Sequence, residues 1–176
     1  AGRVAIDAGL PTLLDVTIDD VTLDDPNAAL ALDHLRGRLR WYDNDTRRRI
    51  ADADRAGDDA FRSELSWQSG RIYGLDLGAA RLAFTTGERD LRLLEPVFIP
   101  VLDGGIDIDT FRVRHAGTPE MWLRLDAAVR PISVQLLCRA FGWPEFGGKL
   151  SGRIPKAALD DGVLTFGGNL EASIFD

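Results

Sequence analysis

The stretch that decides the fold is the last third of the chain, residues 130–176: RPISVQLLCRAFGWPEFGGKLSGRIPKAALDDGVLTFGGNLEASIFD. Its first part carries apolar residues at helical spacing, with Pro131 at the expected first turn and Gly142 at the expected end. Its second part alternates apolar and polar residues over 149–154 and over 164–174, on either side of a turn. We therefore expect one helix at about 131–142, lying on strands that have one apolar and one wet face.

The same alternation runs back through the rest of the chain, for example over 35–41 and 121–129, with glycine-marked turns between the runs. Around Asp19-Asp20 the alternation changes phase, which predicts either a bulge there or a turn between two short strands. We count about ten to twelve short strands, so the fold class is mainly β. The expected architecture is a curved, one-sided sheet of many short antiparallel strands, either an open groove or a sandwich, with that one helix.

Length and composition indicate one β-rich domain covering 1–176. The chain has 176 residues and is 45% hydrophobic, which is enough for a single core. It begins with Ala1 and stops within an alternating run, so we expect a processed chain or a segment of a longer protein. The stretch 43–59 is dominated by Asp, Arg and Ala, with Ile50 as its only large aliphatic residue. Burial in such a stretch cannot offset its ordering entropy, and it predicts a charged, mobile loop.

Charge and residue types argue against several classes of function. The net charge of −7 repels phosphate backbones, so no nucleic-acid partner is expected. The single cysteine, Cys138, allows neither an internal disulfide nor a Cys-based zinc site. His34 and His115 lack ligands at metal-binding spacing, and no nucleophile elbow is present. We therefore predict no metal, no cofactor and no catalytic residues, although a carboxylate pair for sugar hydrolysis stays open because its spacing is invisible in sequence.

The four tryptophans are candidates for sugar-stacking platforms or for anchors at a membrane surface. They are Trp41, Trp67, Trp122 and Trp143. Trp122 falls on the polar phase of its strand, where an exposed ring would indicate a ligand and a covering element would hide it. A β-sandwich binding module for carbohydrate or protein is therefore an alternative hypothesis.

Parts of the last third resemble a known family. The segment VQLLCRAFG at 134–142, the strand GKLSGRI at 148–154 and the ending IFD at 174–176 are similar to the AsmA-like group of bacterial envelope proteins. The stretch LDGGIDI at 102–108 is similar to the strand crossings of that group. The resemblance is strongest over 90–176.

This resemblance implies a non-enzymatic protein of the Gram-negative cell envelope, periplasmic and tethered to the inner membrane in its full-length form. Its body would be a β-sheet with a hydrophobic groove that contributes to phospholipid transport or outer-membrane biogenesis. The partners would be phospholipid acyl chains and the remainder of the longer envelope protein. An isolated fragment with an open apolar groove would also be expected to form a homodimer. The alternatives are the binding module and, second, a carboxylate-based glycosidase.

The candidate lipid-contacting residues are the apolar positions of the strands in the second half of the chain. They are Phe111, Val113, Leu123, Leu125, Leu150, Ile154, Leu164, Phe166 and Leu170. They are expected to line one continuous surface.

Overall fold

The computed structural model describes residues 2–7, 10–25, 29–48, 61–87, 89–116, 118–160, 163–165 and 167–175. The strands of the first half are β1 (Gly2–Asp7), β2 (Leu10–Asp25), β3 (Leu30–Tyr42), β4 (Arg62–Trp67), β5 (Ser69–Ile72), β6 (Leu75–Leu77) and β7 (Ala80–Thr86). Those of the second half are β8 (Leu91–Leu93), β9 (Val97–Val101), β10 (Gly104–Arg114), β11 (Trp122–Ser133), β12 (Gly147–Asp160), β13 (Val163–Thr165) and β14 (Asn169–Phe175). The helix α1 is Val134–Phe141, and a shorter helical stretch lies at 44–48.

All the strands form one 14-stranded sheet whose pairings are antiparallel. Most neighbours in the sheet are also neighbours in the chain, as in a run of hairpins. The sequence prediction of a mainly β protein is confirmed. Among the described residues, no helix is both long and apolar enough to span a membrane.

Of the two expected architectures, an open groove and a sandwich, the open groove is wrong, because the strand pairing closes on itself. β3 pairs with β4, and the pairing continues through β7 and β8 to β10. From β10 it returns through β9, β6 and β5 to β3. These eight strands form a closed barrel. β4 and β5 pair with successive parts of β3, and β8 and β9 pair with successive parts of β10. Two arms therefore connect the two long strands, one through β4, β7 and β8 and the other through β5, β6 and β9.

A line of bulges and breaks across the sheet explains how it bends enough to close. The register shifts beside Asp20 on β2 and beside His34 on β3, and both residues have positive φ angles, of 58° and 54°. Gln68 separates β4 from β5. Further shifts lie at Asp109 on β10 and at Lys156 on β12. Bulges increase local twist and bend the strand. Of the bulge and the turn predicted at Asp19-Asp20, the structure has the bulge.

An exposed polar cluster connects the bulges of β2 and β3. Nδ1 of His34 lies 2.7 Å from the Asp20 carboxylate, and Arg36 donates a hydrogen bond of 2.9 Å to the same group. Arg36 first, and His34 second, hold the pKa of Asp20 below its ordinary value. His34 therefore has a structural contact at a bend of the sheet.

The helix ends where the sequence predicts but starts later. Gly142 has a φ of 67°, and Trp143 donates a backbone hydrogen bond of 2.8 Å to Cys138, so the helix closes with a left-handed residue. Its start at Val134 corrects the expected start at Pro131. Pro131 still belongs to β11, at a register shift between β11 and β12. A proline is tolerated in a strand at such an irregularity because no ladder hydrogen bond is lost.

The helix packs on β11 and β12 through Val134 and Cys138, of which Cys138 is only 1% exposed. Of the stretch 43–59, the part at 44–48 is helical, whereas 49–59 lies outside the described residues. The prediction of a mobile loop there therefore stays a prediction.

Candidate functional site

The barrel holds a cavity of about 370 Å³ whose lining is entirely apolar. The lining residues come from five strands of the barrel: Leu65, Leu82, Phe84, Leu91, Leu93, Val97, Ile99, Ile108 and Phe111. Phe84 and Val97 are buried, and the other seven are half-buried. Half-buried walls mean that solvent reaches part of the cavity surface.

Strand register brings these side chains together. Leu65 is directly opposite Leu82, and Phe84 is directly opposite Leu93. Ile108 is likewise opposite Val97 on the returning arm. Directly opposed residues of an antiparallel pair project from the same face, so the two arms of the barrel present one apolar surface to the space between them.

Of the nine residues predicted from sequence, Phe111 lines this cavity. Val113, Leu123, Leu125 and Ile154 continue the same face next to it. Phe111 is opposite Leu125, and Val113 is opposite Leu123.

Ile154 and Leu150 extend that face onto β12, where they lie opposite Ala127 and Ile132. Both are half-buried. The predicted residues described so far therefore share a continuous face, but of these residues only Phe111, on β10, lines the cavity.

The remaining three predicted residues have no described side chain. Leu164 is placed by its backbone opposite Leu159, and Leu170 opposite Gly152. Phe166 lies outside the described residues. Their proposed contact with lipid therefore stays a prediction.

Eight of the nine lining residues were not among the predicted site residues. The signal that could have found them is the alternation in Leu82 and Phe84 and in Leu91 and Leu93. The resemblance to the AsmA-like group pointed mainly to 90–176 instead. Sequence alternation also does not show that β7 and β9 meet across a closed ring.

The opposite face of the sheet carries cross-strand ion pairs. Asp107 accepts two hydrogen bonds of 2.6 Å from Arg130, which lowers the pKa of Asp107. Glu64 accepts from Arg81 at 2.6 Å and from Arg62 at 2.9 Å, and these contacts, that of Arg81 first, lower its pKa. A glycosidase needs a carboxylic acid with a raised pKa. These two carboxylates are therefore unsuited to be its acid.

The tryptophans are mostly engaged within the protein. Trp67 is buried and donates a hydrogen bond of 2.9 Å from Nε1 to the Gly78 carbonyl. Trp122 is half-buried, with the guanidinium groups of Arg114 and Arg124 at 5.5 and 5.3 Å from its ring. Trp143 is 60% exposed. Phe141 and Phe146 are exposed as well, and the centre of the Phe141 ring lies 5.0 Å from that of Trp143. The described part of the chain therefore carries a small group of exposed aromatic rings at the end of the helix.

Fold and cavity thus define a mainly β domain with a closed ring of strands and an apolar cavity. No family model, curated protein or solved structure matches the chain.

Proposed function

We propose that this domain is a non-enzymatic, lipid-binding segment of a bacterial envelope protein, and that its cavity holds an acyl chain during phospholipid transport or outer-membrane biogenesis. The observation that carries the proposal is the cavity of about 370 Å³ lined by nine apolar side chains. A preformed apolar space of this kind favours an apolar ligand, since each buried CH₂ group contributes about 0.8 kcal/mol.

The size of the cavity limits the ligand. Ligand pockets commonly span about 300–1,000 Å³, so this cavity is at the small end and suits part of one chain better than a whole phospholipid. The headgroup would remain outside. The adjoining apolar rows at Val113 and Leu123 offer a surface along which the rest of the chain could lie.

The resemblance of 90–176 to the AsmA-like group supports the envelope setting. Under this proposal the domain is periplasmic and tethered to the inner membrane through the rest of a longer protein. The closed barrel weakens the reason to expect dimerisation of the isolated fragment, because it covers apolar surface that an open groove would expose.

Filling the cavity should weaken acyl-chain binding. Ile99 is half-buried on β9 and lines the cavity, so Ile99→Trp puts a larger side chain into the space a chain would occupy. With a fluorescent single-chain fatty acid as probe, we expect the affinity to fall at least about tenfold, since leaving about two CH₂ groups of the probe unburied corresponds to that factor.

The matched control is Val163→Trp. Val163 is 62% exposed on β13, outside the cavity, and this variant should bind the probe as the wild type does. Should Ile99→Trp fail to fold, Leu93→Phe asks the same question with a smaller change. Equal probe affinity of wild type and of a folded cavity variant would contradict the proposal.

A further inference from the structure

Three arginines stand in one row across three strands, on the face of the sheet opposite the apolar cavity. Arg112 on β10 is directly opposite Arg92 on β8 and directly opposite Arg124 on β11. Like charges at directly opposed positions destabilise a sheet. In a chain with a net charge of −7, such a row is unusual and requires a physical reason.

The row borders a second cavity, of about 270 Å³. Its six lining residues are Arg47, Thr85, Asp90, Leu91, Arg92 and Arg112. All three of these arginines are half-buried. Among the described residues of this lining, Asp90 is the single acid beside three arginines.

Mutual repulsion in the cluster is visible at Arg112. Burial lowers its pKa below the ordinary value, and the charges of Arg114, Arg92 and Arg47 lower it further, while Asp90 opposes them. A negative charge in the cavity would remove this repulsion.

Aromatic rings hold several of these guanidinium groups in place. The Arg47 guanidinium lies 4.7 Å from the centre of the Phe61 ring, which is 4% exposed. On the other side of the row, Trp122 lies between Arg114 and Arg124. Cation–π contacts leave the N–H edges of a guanidinium able to donate. These contacts preorganise the guanidinium groups of Arg47, Arg114 and Arg124.

We propose that this arginine cluster, formed by Arg47, Arg92, Arg112, Arg114 and Arg124, is a binding site for a phosphate group. The planar guanidinium group of arginine can donate two parallel hydrogen bonds to phosphate oxygens. When several arginines surround one phosphate, its negative charge reduces their mutual repulsion and each can donate charge-assisted hydrogen bonds. The Thr85 hydroxyl at the cavity wall adds a neutral donor. The phosphate could be a soluble ion or the headgroup of a lipid, since both present the same oxygens.

The first test is a melting curve in inorganic phosphate against chloride of equal ionic strength. At phosphate a hundred times its dissociation constant, the wild type should melt about 5–10 °C higher. Arg112→Gln should weaken phosphate binding by about 10- to 100-fold, because a hydrogen bond to a charged group is lost. Arg71→Gln, an exposed arginine on β5 outside the cluster, should keep the wild-type shift.

A second experiment distinguishes a soluble phosphate ion from a lipid headgroup. Vesicles of phosphatidic acid in phosphatidylcholine are compared with pure phosphatidylcholine vesicles. Sedimentation with the former alone, abolished in Arg112→Gln, assigns the site to a lipid headgroup; a phosphate shift without sedimentation assigns it to the soluble ion.

Either of these results supports the site. No phosphate shift together with no selective sedimentation would overturn it, as would identical behaviour of Arg112→Gln and the wild type. Should Arg112→Gln fail to fold, Arg124→Gln, whose side chain is exposed, replaces it. The outcome is independent of fatty-acid binding in the apolar cavity.

Discussion

Gly37→Ala is expected to destabilise the fold by more than about 4 kcal/mol, which is a large fraction of the stability of most domains. A Cβ atom at this position would lie 2.0 Å from the Glu64 carbonyl oxygen and 3.0 Å from the Leu65 Cα atom. Both neighbours are backbone, so they cannot move aside without breaking the β3–β4 pairing. The φ of Gly37, +147°, adds conformational strain for any other residue.

The loss of stability is not limited to one contact, because the β3–β4 pairing is one of the strand pairings that close the barrel. Breaking it would open the barrel and expose the cavity wall. Urea unfolding followed by circular dichroism measures the change. Gly167→Ala is the control, since its Cβ would meet nothing closer than 3.7 Å. Similar urea midpoints for Gly37→Ala and the wild type would show that the register of β3 and β4 is wrong.

Phe84→Ala is expected to cost about 3–5 kcal/mol, which is typical of truncating a buried aromatic residue. Phe84 is 7% exposed and forms part of the cavity wall. The melting temperature should fall by about 6–20 °C. The truncation also enlarges the cavity, so a saturating fatty acid should restore more stability to this variant than to the wild type.

Phe146→Ala controls for the loss of a ring as such. Phe146 is 44% exposed, and a surface substitution of this kind usually changes stability by no more than about 0.5 kcal/mol. If the two variants lost the same stability in calorimetry, Phe84 could not be packed in the wall of the cavity.

Local patterns in the sequence were sufficient for the strands, for the end of the helix at Gly142 and for the bulge beside Asp20. These features depend on periodicity and turn chemistry, which a few neighbouring residues determine. The start of the helix was misplaced because Pro131 suits both the first turn of a helix and an irregular strand position.

Closure of the ring could not be read from the sequence. It depends on the pairing of Leu77 with Val101 and of β8 and β9 with the same edge of β10. Alternation tells which residues share a face of one strand, but it does not tell which strands become neighbours or where a sheet bends. The cavity between the two arms was missed for this reason, and of its lining residues only Phe111 was among the predicted positions.

The arginine row could not be predicted from the sequence for the same reason. Arg112 and Arg124 fall on the polar phase of their strands, as a solvated face would require. That Arg92 and Arg112 are directly opposite each other is a fact of register. Composition alone, with its acidic balance, pointed away from any anionic ligand.

The central claim is that the barrel cavity holds an acyl chain, and adduct mapping with a photoreactive fatty acid tests it most directly. The purified protein is irradiated with a diazirine-bearing single-chain fatty acid, digested, and its adducts are located by mass spectrometry. The account predicts adducts on Leu82, Leu93, Ile99 and Phe111, competed by unlabelled fatty acid. Competable adducts confined to exposed rings such as Trp143, with none on the cavity residues, would contradict it.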